Sequence, residues 1–256
     1  MDLHFRQIGQ GSPMIILHGL LGSSDNWLTI AKTFAENYSV FIIDQRNHGH
    51  SPWSKDWDYV SMSQDLKDFI DSQQLSNPIL IGHSMGGKTV MNYATHFQSE
   101  NFSKLIVVDI APKFYNIDYS DYLEGMQSLD LEQTMTRQQA ETHLLPFAPD
   151  FGVRQFLLKN LYRDENGKFA WRPNLKIIAE NIQNVGQPLP ENARTEKPAL
   201  FIRGEKSDYV LDSDWTLIQK YFPNANLETV AGAGHWVQAE QPEAFIKTTL
   251  TWLNSH

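Results

Sequence analysis

One stretch limits what the rest of the chain can become: Ile79-Leu80-Ile81-Gly82-His83-Ser84-Met85-Gly86-Gly87. An apolar run leads into Gly-x-Ser-x-Gly. Val90, Tyr93, Ala94 and Phe97 then recur at i, i+3, i+4 and i+7, one face of a helix. The serine therefore sits on a tight strand-to-helix turn that forces strained backbone angles on it. Gly82 and Gly86 remove the Cβ atoms that would collide where strand and helix pass. The hydroxyl is lifted clear at a helix N-terminus, where free N–H groups can face a developing negative charge. Gly-x-Ser-x-Gly is short and made of common residues; its weight comes from lying between a buried strand and an amphipathic helix.

The same rhythm runs on both sides of this turn. Leu3 to Ile8 alternates weakly and reads as an edge strand. Met14-Ile15-Ile16-Leu17, Val40-Phe41-Ile42-Ile43 and Leu105-Ile106-Val107-Val108 are continuous apolar runs, the pattern of strands buried on both faces. Trp27, Ile30, Ala31 and Phe34 mark one intervening helix, and Met62, Leu66, Phe69 and Ile70 another. Alternation of this kind predicts a parallel sheet with helices on both faces, and ligands then bind beyond the carboxyl ends of the strands. His18, Asp44, Ser84 and Asp109 all fall just past such ends.

From about Lys113 to Lys197 the rhythm breaks, with no buried strand. Helical candidates there are Thr136 to Leu145, Gly152 to Leu161 and Asn174 to Val185, punctuated by prolines. The segment is too long for a loop and reads as a mostly helical insertion over the site. Alternation then resumes with Ala199-Leu200-Phe201-Ile202, a helix marked by Trp215, Ile218 and Phe222, a last strand over Asn226 to Val230, and a closing helix over Ala244 to Leu253.

Composition excludes several functions. The formal net charge of −9 argues against nucleic acid as a partner, because phosphate binding needs clustered Lys and Arg. With no cysteine, disulfides, thiolate metal sites and thiol nucleophiles are ruled out, which fits a cytoplasmic protein. Met1-Asp2-Leu3-His4-Phe5-Arg6 lacks the basic and apolar regions of a signal peptide, and no apolar stretch approaches a membrane span.

A serine hydroxyl needs a base to take its proton and a third group to orient that base. His235 is the candidate base, in the glycine-rich loop Ala231-Gly232-Ala233-Gly234-His235-Trp236 after the last strand. For the acid, Asp109 ends the strand after the serine's own, whereas Asp208 follows the strand beyond the insertion, one place past the more usual position, here Ser207. Asp109 is preferred, because an Asp closing a buried run is costly without a partner; Asp208 is the alternative. Backbone N–H groups of Leu20 and Met85 are the candidate oxyanion donors. His18 is read as bracing the Leu20 loop.

Asp44, His48 and His50 suggest a metal site, but no further spaced ligand accompanies them, so no metal and no cofactor are expected. Arg46 and Lys88 could meet an anionic substrate group, with surface solvation preferred for Lys88. Among the insertion's aromatics, Phe147, Phe151, Phe156 and Trp171, packing is preferred over pocket lining.

With these residues in hand the sequence resembles the α/β-hydrolase superfamily along nearly its whole length, and more narrowly the YbfF-type esterases. The matching stretches are His18-Gly19-Leu20-Leu21-Gly22-Ser23, Asp44-Gln45-Arg46-Asn47-His48-Gly49-His50-Ser51, Gly82 to Lys88, Val108-Asp109-Ile110-Ala111-Pro112 and Ala231 to Val237. The Arg-Asn-His-Gly form is discriminating, since the wider superfamily usually has Arg-Gly there. The resemblance implies a mostly parallel sheet of the eight-stranded type flanked by helices. Its core domain would span residues 1–112 and 198–256, with a helical cap, 113–197, inserted after the sixth strand. It takes the acid from the Asp of Asp-Ile-Ala-Pro, here Asp109. It also implies hydrolysis of small-molecule carboxylic esters, or of acyl thioesters, through an acyl-enzyme. Dehalogenases and epoxide hydrolases of this superfamily place Asp at the serine's position and are disfavoured. Carbon–carbon bond hydrolysis, peptidase activity, or a ligand receptor with little turnover share the same residues.

Overall fold

A computed structural model describes residues 1–97 and 101–256. The first half runs β1 (Phe5–Ile8), β2 (Ser12–Leu17), α1 (Leu28–Phe34), β3 (Tyr38–Ile43), α2 (Tyr59–Ser72), β4 (Ile79–His83), α3 (Met85–His96) and β5 (Lys104–Val108). Next come α4 (Ser120–Gln127), α5 (Arg137–Leu144), α6 (Phe151–Leu158), β6 (Leu161–Arg163), β7 (Phe169–Trp171) and α7 (Leu175–Glu180). The chain ends with β8 (Ala199–Gly204), α8 (Trp215–Tyr221), β9 (Ala225–Val230), α9 (Val237–Glu240) and α10 (Pro242–Ser255).

The main sheet has the order β1-β3-β2-β4-β5-β8-β9, and every pairing is parallel except β1 with β3. Side chains on a strand alternate between faces. Ile15, Leu17, Phe41, Leu80, Leu105 and Val107 therefore join one core with α2 and α3. Met14, Ile16, Val40, Ile81, Ile106 and Val108 join another against α1 and α10. Both sets are needed because a parallel sheet covered on two faces has no solvent side, which is why its central strands read as unbroken apolar runs. The outermost β9 reads differently: only Val230 of its six residues is buried.

Two expectations are corrected. The sheet has seven strands among the described residues, not the eight of the type form. Counted along the chain, the long excursion leaves the sheet after the fifth strand, β5, rather than the sixth. Four helices, α4 to α7, make up most of the regular structure of the excursion. Between α6 and α7 it holds the hairpin β6–β7, turned through Asp164 to Gly167, with Gly167 at φ +77°. It forms its own apolar cluster, in which Leu123, Met126, Leu144, Leu157 and Ile178 pack with Leu20, Trp57 and Met85 of the sheet's loops. No helix among the described residues is long and apolar enough to cross a membrane.

Candidate active site

Strand register brings the first two candidates together. His83 on β4 pairs with Val108 on β5, so Ser84 and Asp109 are the next residues on adjacent strands, and adjacent strands lie roughly 4.8 Å apart. The backbone ladder reaches one step further: the Ser84 N–H donates to the Val108 carbonyl at 3.0 Å, and the Asp109 N–H to that of Ile202 at 2.8 Å. Both residues then turn away with positive φ, +52° for Ser84 and +51° for Asp109. Such angles cost about 1–3 kcal/mol each in a residue with a Cβ and persist only where the surroundings impose them. At Ser84 the imposing contact is the crossing of strand and helix. A Cβ on Gly82 would lie 2.2 Å from the Gly86 carbonyl oxygen, and one on Gly86 would lie 2.5 Å from that of Leu17.

Asp109 is fully buried and its carboxylate is filled with donors. The Gly204 N–H donates to Oδ1 at 3.1 Å, the Ser207 hydroxyl donates to Oδ2, and His235 Nδ1 lies 2.8 Å from Oδ2. A carboxylate accepts only, so the His235 hydrogen sits on Nδ1 and Nε2 is left as the basic nitrogen. Asp208 is exposed and makes no contact with His235: the β8 loop turns its neighbour Ser207 inward instead, and Ser207 hydrogen-bonds to the acid on β5. Of the two acid candidates, the structure brings Asp109 against His235 and leaves Asp208 at the surface.

His235 reaches Asp109 because the loop after β9 crosses the end of β8 at Gly204, where a Cβ would lie 2.2 Å from the Gly234 carbonyl oxygen. Three further residues hold the loop, and sequence reasoning did not single them out. His83 Nε2 lies 2.8 Å from the His235 carbonyl oxygen and donates to it. Burial first, and then His235, push the His83 pKa well below its usual value, so this ring is neutral. Tyr209 stacks on the His235 ring at 3.8 Å between centroids. Glu240 accepts from the N–H groups of Gly234 and Trp236 at 2.7 and 3.2 Å. Only His83, inside the Gly-x-Ser-x-Gly stretch, carried a signal in the sequence.

The Leu20 loop is locked as tightly. His18 Nε2 accepts from the Gln45 N–H at 3.0 Å, so its Nδ1 bears the hydrogen and donates to the Gly19 carbonyl at 2.8 Å. Burial pushes its pKa down, against the pull of Asp44. Gln45 Nε2 donates to the His18 carbonyl at 2.7 Å and its Oε1 accepts from Thr89 at 2.8 Å. The loop's polar groups are thus committed to the frame, while no group among the described residues takes the Leu20 N–H. Met85 is the first residue of α3, where a helix leaves its N–H groups without internal partners.

Ser84, Leu20, His235 and Trp236 from the frame, and Val153 and Phe156 from α6, wall one cavity of about 520 Å³. No protein group among the described residues holds the Ser84 hydroxyl. Nucleophile–base bonds are often loose before substrate binds and tighten afterwards. Of the four aromatics considered, Phe156 faces this cavity. Trp171 is buried and donates to the Met126 carbonyl, Phe147 packs on Gly125, and Phe151 is exposed.

Two basic residues turn out to be structural. Arg46 is paired to Asp65 at 2.6 and 2.8 Å and donates to the Asp56 carbonyl. Lys88, expected at the surface, has no exposed area. Its Nζ donates to the carbonyls of Lys113 and Gln187 at 2.6 and 2.7 Å, one at the start of the excursion and one late in it. Burial, and then Lys113, push its pKa down to about 7. Asp44 and His50 acquire a partner that their spacing could not reveal, His4, whose Nδ1 lies 2.9 Å from Asp44 Oδ2. Arg172 donates to His50 Nε2 at 2.6 Å, which puts the His50 hydrogen on Nδ1, the nitrogen facing Asp44 at 3.5 Å. His48 is turned to another partner, the Arg46 carbonyl at 2.9 Å, and burial pushes its pKa down to about 3.

Comparison with known proteins agrees with this architecture. A family model described as alpha/beta hydrolase fold matches residues 12–242. The chain is 36% identical to Esterase YbfF of Escherichia coli, over 95% of this chain and 93% of that protein. It is 36% identical to the sn-1-specific diacylglycerol lipase ABHD11 of Danio rerio, over 96% of this chain and 79% of that protein. A solved marine microorganism esterase superposes with a TM-score of 0.94 at 43% identity, covering 98% of each chain. The chain belongs to the alpha/beta hydrolase fold family, as a hydrolase of the esterase and lipase type.

Proposed function

We propose that this protein hydrolyses carboxylic esters, and acyl thioesters by the same route, with Ser84, His235 and Asp109 acting as one unit. The observation that carries the proposal is the 2.8 Å bond from His235 Nδ1 to buried Asp109, with Ser84 on the neighbouring strand end in the same cavity. Ser84 Oγ attacks the acyl carbonyl carbon as His235 Nε2 takes its proton. The N–H groups of Leu20 and Met85 face the oxyanion. His235 returns the proton to the departing alcohol or thiol. Water, deprotonated by His235, then attacks the acyl-serine and releases the acid. Asp109 stays ionised throughout and holds the imidazole in the working tautomer. Residues 113–197 act as a cap: they close the cavity over Ser84, so that substrate enters between this segment and the sheet.

The names of the relatives support the ester class; the thioester extension rests on the chemistry, since a thiol leaves through the same proton transfer. The test is turnover of p-nitrophenyl acetate and of an acetyl thioester by the wild type and by Ser84→Ala. Loss on the order of 10⁵-fold or more in kcat, from a variant with an unchanged circular dichroism spectrum, is the expected result. Retained turnover would remove Ser84 from the chemistry.

A further inference from the structure

Two cavities meet at Ser84, and they are very unequal. The one of about 520 Å³ has His235 and Trp236 in its wall. The other offers about 10 Å³ and is walled by Ile110, Ile117, Tyr119, Val185 and Tyr209, together with Ser84 and the two oxyanion residues; His235 is not part of it. In acyl transfer the leaving group departs on the side of the group that returns its proton, and the acyl substituent points away from it. We propose that the small cavity is the acyl pocket, that the large one receives the leaving group, and that Tyr119 confines the enzyme to short acyl chains, acetyl foremost. The proposal rests on Ser84 being the nucleophile.

About 10 Å³ is one water-sized sphere, room for a methyl group and little more. The wall behind it is thin. Tyr119 also lines the 520 Å³ cavity and, with Ile117, an outward-facing groove of about 570 Å³ between α4 and the 179–183 stretch. Its ring stands edge-on to that of Tyr122 at 5.5 Å between centroids, and Tyr209, beside it in the pocket wall, is stacked on His235. Tyr119 and Ile117 therefore divide a pocket sized for a methyl group from a groove of about 570 Å³, and Tyr119 is the larger of the two.

The test is kcat/KM across p-nitrophenyl esters from acetyl to decanoyl. In the wild type the value falls about tenfold or more from acetyl to hexanoyl, because each added methylene overpacks the pocket. Tyr119→Ala joins the pocket to the groove and flattens or reverses the fall. Tyr119→Phe keeps the ring and keeps the wild-type order. Val185→Ala, a smaller change, moves the limit outward by one or two carbons. A wild type as fast on hexanoyl as on acetyl, or a fall unaltered in both enlarged variants, overturns the proposal.

Sulfonyl fluorides read the same pocket without turnover. Ser84 Oγ attacks sulfur, its proton passes to His235, and fluoride leaves, so intact mass reports the adduct. Wild type should react faster with methanesulfonyl than with octane-1-sulfonyl fluoride, and Tyr119→Ala should lose that preference. Equal rates, or no labelling by either reagent, overturn the pocket. Preferential methanesulfonyl labelling of a protein that turns over no ester would leave the pocket standing and sink the ester reading.

Discussion

The two walls of the 520 Å³ cavity are built differently. On the sheet side Asp109, His235 and the Leu20 loop, all beyond strand ends, are held several times over, while the Ser84 hydroxyl is left without a partner among the described residues. Asp109 takes three donors, His235 is gripped through its ring, its carbonyl and its loop, and the Leu20 loop is bonded through His18 and Gln45. On the other side, α6 presents Val153 and Phe156 from a segment with its own apolar cluster. That segment meets the sheet's loops largely through side chains bonded to backbone carbonyls, as in Asn160 to Leu21 at 2.7 Å, Tyr59 to Val185 at 2.7 Å and Asn184 to Trp57 at 3.0 Å. Bonds to backbone carbonyls tolerate sequence change at the acceptor residue. The lesson is a division of labour: the frame holds the candidate residues by repeated hydrogen bonds, while the overlying segment can change its lining without disturbing them. Variants in the frame should therefore move kcat, and variants in the segment should move KM or substrate range.

The largest effect tests the frame. In Asp109→Asn the carboxamide offers its N–H₂ or its carbonyl to His235, favours the wrong tautomer, and should lower kcat about 10⁴-fold with little change in KM. Asp208→Asn, the exposed neighbour of Ser207, should stay within about twofold, since surface changes away from such features are usually small. Steady-state kinetics on one nitrophenyl ester decides both. An active Asp109→Asn, or an inactive Asp208→Asn, would transfer the acid to the β8 loop and dissolve the contrast between the two strand ends.

Next comes the joint between the walls. A neutral Lys88 amine still has two hydrogens for its two carbonyls, so Lys88→Met, which removes both bonds, should cost about 1–3 kcal/mol. The pH dependence is more diagnostic. An unfolded lysine titrates near 10.5, and in the fold Lys88 titrates at about 7. Between those values the unfolded chain holds a proton that the folded chain has released, so stability rises with pH, by at most ~1.4 kcal/mol per unit. Below pH 7 both states are protonated and this contribution is flat. Denaturant titrations from pH 6 to 10 should show the rise in the wild type and lose it in Lys88→Met; parallel curves would mean that Lys88 is not the titrating group.

Legibility in the sequence followed the same division. Ser84, Asp109 and the Leu20 loop were readable as candidates because each ends or follows an apolar run, and His235 because it lies in a glycine-rich loop after the last strand, the glycines marking where chain segments pass close. Asp109 and Asp208 both satisfy that rule, and residue reading left both open; which side chain the β8 loop turns inward, Ser207 rather than Asp208, is set by the loop's path and not by spacing. Lys88 was misread because α3 has no solvent face: each residue from Met85 to Thr95 is buried, so its polar positions carry no surface meaning. The β6–β7 hairpin was missed because strands of three residues are too short to show alternation. α4 was missed because Tyr119, Leu123 and Met126 make barely two helical turns. His4 joins Asp44 and His50 only through the antiparallel edge pairing of β1, which no spacing along the chain encodes.

The smallest effect tests the other wall. Phe156 meets the Trp236 ring at 5.7 Å between centroids and lines the side of the cavity assigned to the leaving group. Phe156→Ala removes apolar contact that a nitrophenyl ring would otherwise gain. A lost contact of ~1 kcal/mol predicts roughly a fivefold rise in KM. Because the ground state and the transition state lose it equally, kcat should stay within about twofold. The comparison is sharpest with a leaving group too small to reach α6: for methyl acetate the variant and the wild type should have nearly the same KM. If instead kcat falls while KM holds, Phe156 acts through Trp236 on the His235 loop, and α6 belongs to the catalytic frame rather than opposite it.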